Sequence, residues 1–218
     1  MSDEDWADAE KNAEENTYEV HGSREVYRGN VISLRVDDVA MPGGNVAERD
    51  VVVHPGAVGV VALRADGSVL LLRQYRHPVG ETLWELPAGI LDVKDEPALQ
   101  AAQRELGEEA FLTARTWSVL VDMYSSPGMS NEAVRLYLAR DLEEIPEDRR
   151  HEGVDEEADM ERHWIDLDDA VERILQGEIT NNLACVGLLA AVAGRSRDYQ
   201  FLRRADAPWP AKPTLAAH

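Results

Sequence analysis

Two apolar runs, residues 57–63 and 69–73, face each other across Ala65-Asp66-Gly67-Ser68. An Asp-Gly turn between such runs is the strongest short-range hairpin signal, because its left-handed residues match the twist of the flanking strands. A chain committed to this hairpin is committed to a sheet. Residues 31–41 and 45–53 read as a second antiparallel pair around Pro42-Gly43-Gly44, and residues 117–124, 132–138 and 163–165 as further strands. Helices are expected at 97–110, with Asp95 or Glu96 as cap and Pro97 in the first turn, and at 167–175 and 182–192. Many hairpins with few helices between them predict an α+β fold and not a doubly wound parallel sheet.

Charge sets the next limit. The 218 residues carry 22 Lys plus Arg against 42 Asp plus Glu, a net charge of −20. Nonspecific binding to nucleic acid or to an anionic membrane needs a basic surface, so neither is an expected partner. No apolar run reaches the ~18–20 residues of a membrane span, and the acidic start Met-Ser-Asp-Glu-Asp-Trp does not resemble a secretion signal. Cys185 is the only cysteine, which excludes an intrachain disulfide and a thiolate metal cluster and suits a reducing, cytoplasmic location. His54, His77 and His163 have no metal-ligand spacing.

The helix at 97–110 carries the chemistry. Leu99, Ala102, Leu106 and Ala110 form an apolar stripe. Glu105, Glu108 and Glu109, spaced i, i+3, i+4, cluster their carboxylates along its border. Like charges at that spacing repel by a few tenths of a kcal/mol, and the C-terminal half of a helix is already negative. A hard divalent cation such as Mg²⁺ or Mn²⁺ is the natural compensation. A solvated glutamate-rich face is the plainer alternative.

The surrounding residues resemble the signature box of the Nudix hydrolase superfamily. Glu96, seven intervening residues, Arg104-Glu105-Leu106, Gly107, Glu108-Glu109 and Leu112 all match it. Two positions depart: six residues, not five, separate Gly89 from Glu96, and Phe111 stands where the box has its second glycine. Glu85-Leu86-Pro87-Ala88-Gly89, Gln74-Tyr75-Arg76, Ser126-Pro127-Gly128-Met129-Ser130-Asn131-Glu132 and Glu156-Glu157-Ala158-Asp159-Met160 are similar to the ADP-ribose pyrophosphatase branch.

The resemblance implies a Nudix fold, a mixed β-sheet sandwiched between helices, with an N-terminal antiparallel extension. On this reading residues 1–16 are an acidic flexible arm and 17–53 are the extension, which serves dimerisation and substrate binding. Residues 54–193 are the Nudix domain and 194–218 a flexible tail. It further implies Mg²⁺-dependent hydrolysis of ADP-ribose to AMP and ribose 5-phosphate by a homodimer, with Mn²⁺ as a possible substitute. Metal ligands would be Glu105, Glu109, the Ala88 carbonyl and Glu108, directly or through water. Arg104 would hold the helix against its loop by pairing with a carboxylate, and Glu157, then Glu156, would act as general base. Arg49 and Arg76 are candidates for phosphate, Glu85 and Glu132 for ribose or adenine, and Met129 for a further substrate contact. Tyr18 and Tyr27 are candidates to stack on adenine from a partner subunit. Other nucleoside diphosphate derivatives, such as sugar nucleotides or dinucleoside polyphosphates, and a non-hydrolytic nucleotide sensor are the competing readings.

Overall fold

The computed structural model describes residues 18–150 and 160–213, and these divide into two compact units. The first unit comprises the described residues up to His54 together with Ser126–Asn131. Its three strands, β1 (Val20–Arg28), β2 (Ser33–Ala40) and β3 (Val46–Val53), form an antiparallel sheet in the order β1-β2-β3. Ala40 sits opposite Val46 across the Pro42-Gly43-Gly44 turn, as the sequence predicts. The loop 126–131 is joined to the end of β3. The Val52 amide donates to the Met129 carbonyl (2.8 Å), the Asn131 amide to the Val52 carbonyl (3.2 Å), and the His54 amide to Asn131 Oδ1 (2.8 Å).

The second unit holds two sheets. One has the order β10-β5-β6, from β5 (Ser68–Arg76), β6 (Glu81–Glu85) and β10 (Glu161–Asp166). The other has the order β11-β8-β9-β4-β7. Its strands are β4 (Ala57–Ala62), β7 (Ala88–Ile90), β8 (Leu112–Tyr124), β9 (Ala133–Glu144) and β11 (Arg203–Arg204). β4 pairs parallel with β9, and the other pairings are antiparallel.

The 57–73 hairpin therefore exists only at its tip. Arg64 N–H donates to the Ser68 carbonyl (2.9 Å) and Leu63 bridges Val69, but beyond that β4 and β5 enter different sheets. Both runs are apolar without interruption, and every residue of β4 and Val69–Leu72 of β5 are buried. A strand covered on both faces has the composition of a sheet interior, where partners come from elsewhere in the chain.

Helix α1 (Ala98–Ala110) covers one side, its Ala101, Ala102, Leu106 and Ala110 packing with Val58, Val60, Leu70 and Leu72. Helices α2 (Leu167–Leu175) and α3 (Asn182–Arg195) cover the other, with Leu167, Ala170, Ala184 and Leu188 against Val61, Val69, Leu71 and Leu86. Gly187 lets α3 lie on the sheet, since a Cβ there would come within 2.7 Å of Leu86 Cδ1 and 3.0 Å of Val61 Cγ2. The expected mixed sheet structure between helices, with an antiparallel N-terminal extension, is what the chain forms.

Three local expectations change. Strand β9 continues to Glu144, six residues beyond its predicted end. Helix α1 has Pro97 as its N-cap and no side-chain cap, because the Glu96 carboxylate is taken by Arg104. The segment expected to be a flexible tail is built into the unit as far as Pro213. Arg203 and Arg204 pair with β8, and the buried Arg135 donates to the carbonyls of Ala207 (2.7 Å) and Pro208 (3.0 Å). The Arg135 guanidinium also lies 4.9 Å from the Trp209 ring. Arginine-rich composition suggests solvation, but here a buried arginine on β9 supplies the donors that backbone carbonyls of the tail require.

Candidate active site

Helix α1 presents Glu105 and Glu109 inward, 8% and 6% exposed. Their positions follow from β7, which pairs with β4 through Ala57–Ile90, Val58–Gly89 and Gly59–Ala88. The Glu105 side chain lies directly on Gly89: a Cβ there would meet Oε1 at 1.9 Å and Cδ at 2.1 Å. Glu109 Oε2 accepts the Ala88 amide at 2.8 Å. One short strand thus fixes two acids on consecutive turns, and the sequence requirement for Gly89 is steric.

Arg104 supplies the positive charge. It grips Glu96 through Nε and Nη2, both at 3.1 Å, and its Nη1 reaches Glu105 at 2.7 Å and Glu108 at 3.0 Å. The hydrogen bonds to Glu96, with help from Glu105 and Glu108, push the guanidinium still further above its ordinary value than burial lowers it. The expected pairing of Arg104 with a carboxylate is thus a pairing with three. Among the described residues no three acidic, His or Cys side chains converge to metal-binding geometry, since Arg104 draws Glu105 and Glu108 and the Ala88 amide holds Glu109. The donors fit a hard divalent cation nonetheless. They are all oxygen, two are buried, and the absence of a side chain at Gly89 lets the Glu105 carboxylate come up against β7 beside the Ala88 carbonyl.

The candidate substrate residues fall in two groups. Arg76 and Glu85 meet each other across β5 and β6 in a bidentate pair, Nε–Oε1 2.8 Å and Nη2–Oε2 2.6 Å, with Glu85 3% exposed. Glu132, whose carbonyl accepts the Ser125 amide (3.2 Å), belongs to the same unit. Arg49 and Met129 belong to the other unit. Both are exposed, and Arg49 donates to the Glu48 carbonyl at 2.9 Å. Glu156 and Glu157 lie outside the described residues, and Tyr18 and Tyr27 are exposed.

The second departure from the box has a visible solution. Phe111 has φ +56°, the left-handed conformation that glycine adopts without strain, at a cost of about 1–2 kcal/mol. Its ring lies under two guanidinium groups, Arg162 at 4.0 Å and Arg150 at 5.0 Å. Such contacts contribute roughly 0.5–2 kcal/mol each, enough to offset the backbone strain. Neither arginine was foreseeable from the helix, because Arg162 comes from β10 and Arg150 from the end of the β9 connection.

Comparison with known proteins agrees with this geometry. Residues 53–183 match the NUDIX domain, and residues 18–52 match the nucleoside diphosphate sugar hydrolase N-terminal domain. The chain is 44% identical over 203 residues to an ADP-ribose pyrophosphatase of Mycobacterium tuberculosis, covering 93% of this chain and 96% of that protein. It is 36% identical over 169 residues to an ADP-ribose pyrophosphatase of Bacillus subtilis, covering 78% and 88%. In fold it is similar to the crystal structure of an ADP compounds hydrolase, with a TM-score of 0.71 at 16% identity over 84% of this chain and 96% of that one. With the domain match spanning more than half of its length and the box glutamates gathered around Gly89 and Arg104, the chain belongs to the Nudix hydrolase family.

Proposed function

We propose that the protein hydrolyses the pyrophosphate of ADP-ribose to AMP and ribose 5-phosphate, using Mg²⁺, with Mn²⁺ as a substitute. The observation that carries this reading is the placement of Glu105 on Gly89 and Glu109 on the Ala88 amide, in a chain so similar to a named ADP-ribose pyrophosphatase. Glu105, Glu109 and the Ala88 carbonyl would hold the cation, with Glu108 directly or through water. When bound, it supplies the positive charge that a pyrophosphate needs in an acidic site. Arg104 keeps Glu105 and Glu108 from repelling each other before the cation arrives and holds the preceding loop through Glu96.

In the reaction a water oxygen bonds to phosphorus, the bridging P–O bond breaks, and the water proton passes to a carboxylate base. Glu157 is our candidate for that base, then Glu156. Arg76, with Arg49, is proposed to contact phosphate oxygens. Glu85 is proposed to orient Arg76 and, with Glu132 and Met129, to contact the nucleoside. A homodimer and a cytoplasmic location complete the proposal. The exposed apolar residues of β1 support the first, and the single, half-buried Cys185 supports the second.

A sugar nucleotide substrate is the second reading, favoured by the match of residues 18–52 to the nucleoside diphosphate sugar hydrolase N-terminal domain. Both are tested by turnover of ADP-ribose, sugar nucleotides and dinucleoside polyphosphates with Mg²⁺ in oxygen-labelled water. We expect the highest kcat/KM for ADP-ribose, with label in one product phosphate. ADP-ribose turning over no faster than the others overturns the first reading, and binding without hydrolysis under any divalent ion overturns both. E157Q is expected to lose far more activity than E156Q.

A further inference from the structure

Helix α1 has no basic residue in its last turn, although its C-terminal half carries Glu105, Glu108 and Glu109. Its own dipole adds negative charge at that end. The missing cation comes from a distant part of the chain. Arg162, on β10, donates through Nε to the Glu109 carbonyl (2.5 Å) and through Nη1 to the Met160 carbonyl (3.3 Å), and it lies 4.0 Å from the Phe111 ring. Arg150 reaches the same ring at 5.0 Å. Phe111 is itself fixed: its amide donates to the carbonyls of Leu106 and Gly107, and its carbonyl accepts the Ile145 amide at 2.8 Å. The aromatic ring is therefore a platform that aims a guanidinium at the backbone of a box glutamate. A glycine ends a helix without strain but offers no such platform.

We infer that Arg162 is a positioning residue for Glu109, and that Phe111 replaces the box glycine to hold Arg162 in place. The reasoning is geometric. Glu109 is held at two points, its carboxylate by the Ala88 amide and its carbonyl by Arg162, so the end of α1 cannot fray without moving that carboxylate. Frayed helix ends open at little free-energy cost unless their carbonyls are capped. The inference rests on the Nudix reading only in taking Glu109 as a residue of the reaction. The cap itself is independent of substrate.

The test compares R162M, R162K and F111G by hydrogen exchange of peptides covering residues 105–112 in metal-free protein, thermal unfolding, and kcat and KM with Mg²⁺. For R162M we expect exchange in the last turn of α1 faster by about tenfold. We expect kcat lower by about tenfold, because slight misplacement of a reacting group is costly, while KM stays within about twofold. R162K, which reaches the carbonyl with a single donor, should recover part of both losses. F111G, which relieves the backbone strain and loses the ring contacts that offset it, should unfold near the wild-type temperature yet lose kcat in the same direction as R162M, and wild-type kcat in F111G would overturn the role given to Phe111. Unchanged exchange in R162M, faster exchange with unchanged kcat, or kcat losses that simply follow unfolding temperature would each overturn the assignment. Failure of the ADP-ribose reading shows instead in the wild type. The variants are then compared on whichever pyrophosphate substrate it turns over, with the exchange experiment unaffected.

Discussion

Gly89 carries no side chain because Glu105 fills the volume one would occupy. In Gly89→Ala the new methyl would sit 1.9 Å from Glu105 Oε1, so the carboxylate must leave its place on β7. We expect kcat to fall by about 100-fold, the cost of misplacing a reacting group by roughly 1 Å, while circular dichroism stays that of the wild type. Steady-state kinetics with saturating Mg²⁺ checks it. Glu85 poses a different question, since it is buried yet paired with the half-exposed Arg76. Glu85→Gln removes the carboxylate charge that faces that guanidinium across β5 and β6. After allowance for solvent screening, the loss is about 2 kcal/mol, which lowers the melting temperature by roughly 4–8 °C. A rise in KM with an unchanged melting temperature would instead make Glu85 a substrate contact alone. At this scale the box pattern can be read because its spacing on one helix is local information: Arg104, Glu105 and Glu109 are found by counting. The Arg76–Glu85 pair depends on the register of two neighbouring strands and the Arg162–Phe111 stack joins residues far apart in sequence, and nothing in the local composition marks which arginine answers which acid or ring.

Elements carry the consequences of burial. Strands β8 and β9 share Asp122 and Arg135, joined by Nε–Oδ1 (2.7 Å) and Nη2–Oδ2 (2.9 Å), and Arg203 of β11 reaches Asp122 Oδ2 at 2.7 Å. Burial opposes ionisation of the Asp122 carboxyl, but the hydrogen bonds and charges of Arg135 and Arg203 outweigh it and hold the group below the ordinary carboxylate range. A carboxyl whose folded value lies below its unfolded value of about 3.9 contributes its full stability above that pH. The contribution is lost as pH falls through the lower folded value. Wild type should therefore exceed Asp122→Asn in unfolding free energy near neutrality, with the gap closing below about pH 4. Urea unfolding across that range measures it, and a constant gap would remove Asp122 from the acid response. The same network explains why the end of the chain was misjudged. Residues 194–218 read as flexible from their arginines and prolines, whereas β11 pairs with β8 and Arg203 reaches Asp122, and Ala207–Trp209 are held by one buried arginine, Arg135, whose position on a central strand the sequence does not announce. Helices α1 and α2 fell close to their expected bounds, and the uniformly apolar β4 and the apolar Val69–Leu72 of β5 gave no sign of which partners they would take.

For the whole molecule, charge and apolar surface pull in opposite directions. Each chain carries a net charge of −20, so two copies repel at low ionic strength. The N-terminal sheet nevertheless leaves Tyr18, Val20, Val26 and Tyr27 exposed, and almost every residue of β1 is open to solvent. A three-stranded sheet needs an apolar face covered to be stable by itself, and a second copy of the same unit supplies a symmetric cover. If the proposed homodimer forms in this way, apolar burial drives it and charge opposes it. Raising NaCl from about 20 mM to about 500 mM shortens the screening length from tens of ångströms to a few, and dimerisation should tighten accordingly. Light scattering behind size exclusion, repeated over a dilution series at both salts, would report the dissociation constant. Val26→Asp with Tyr27→Asp, adding charge to the exposed strand, should shift the population toward monomer and leave the melting of the Nudix domain in place. A chain that stays monomeric at both salts, or a dimer indifferent to the double substitution, would place the interface elsewhere or remove it. Retained activity in a monomer would show that one chain holds everything the reaction requires.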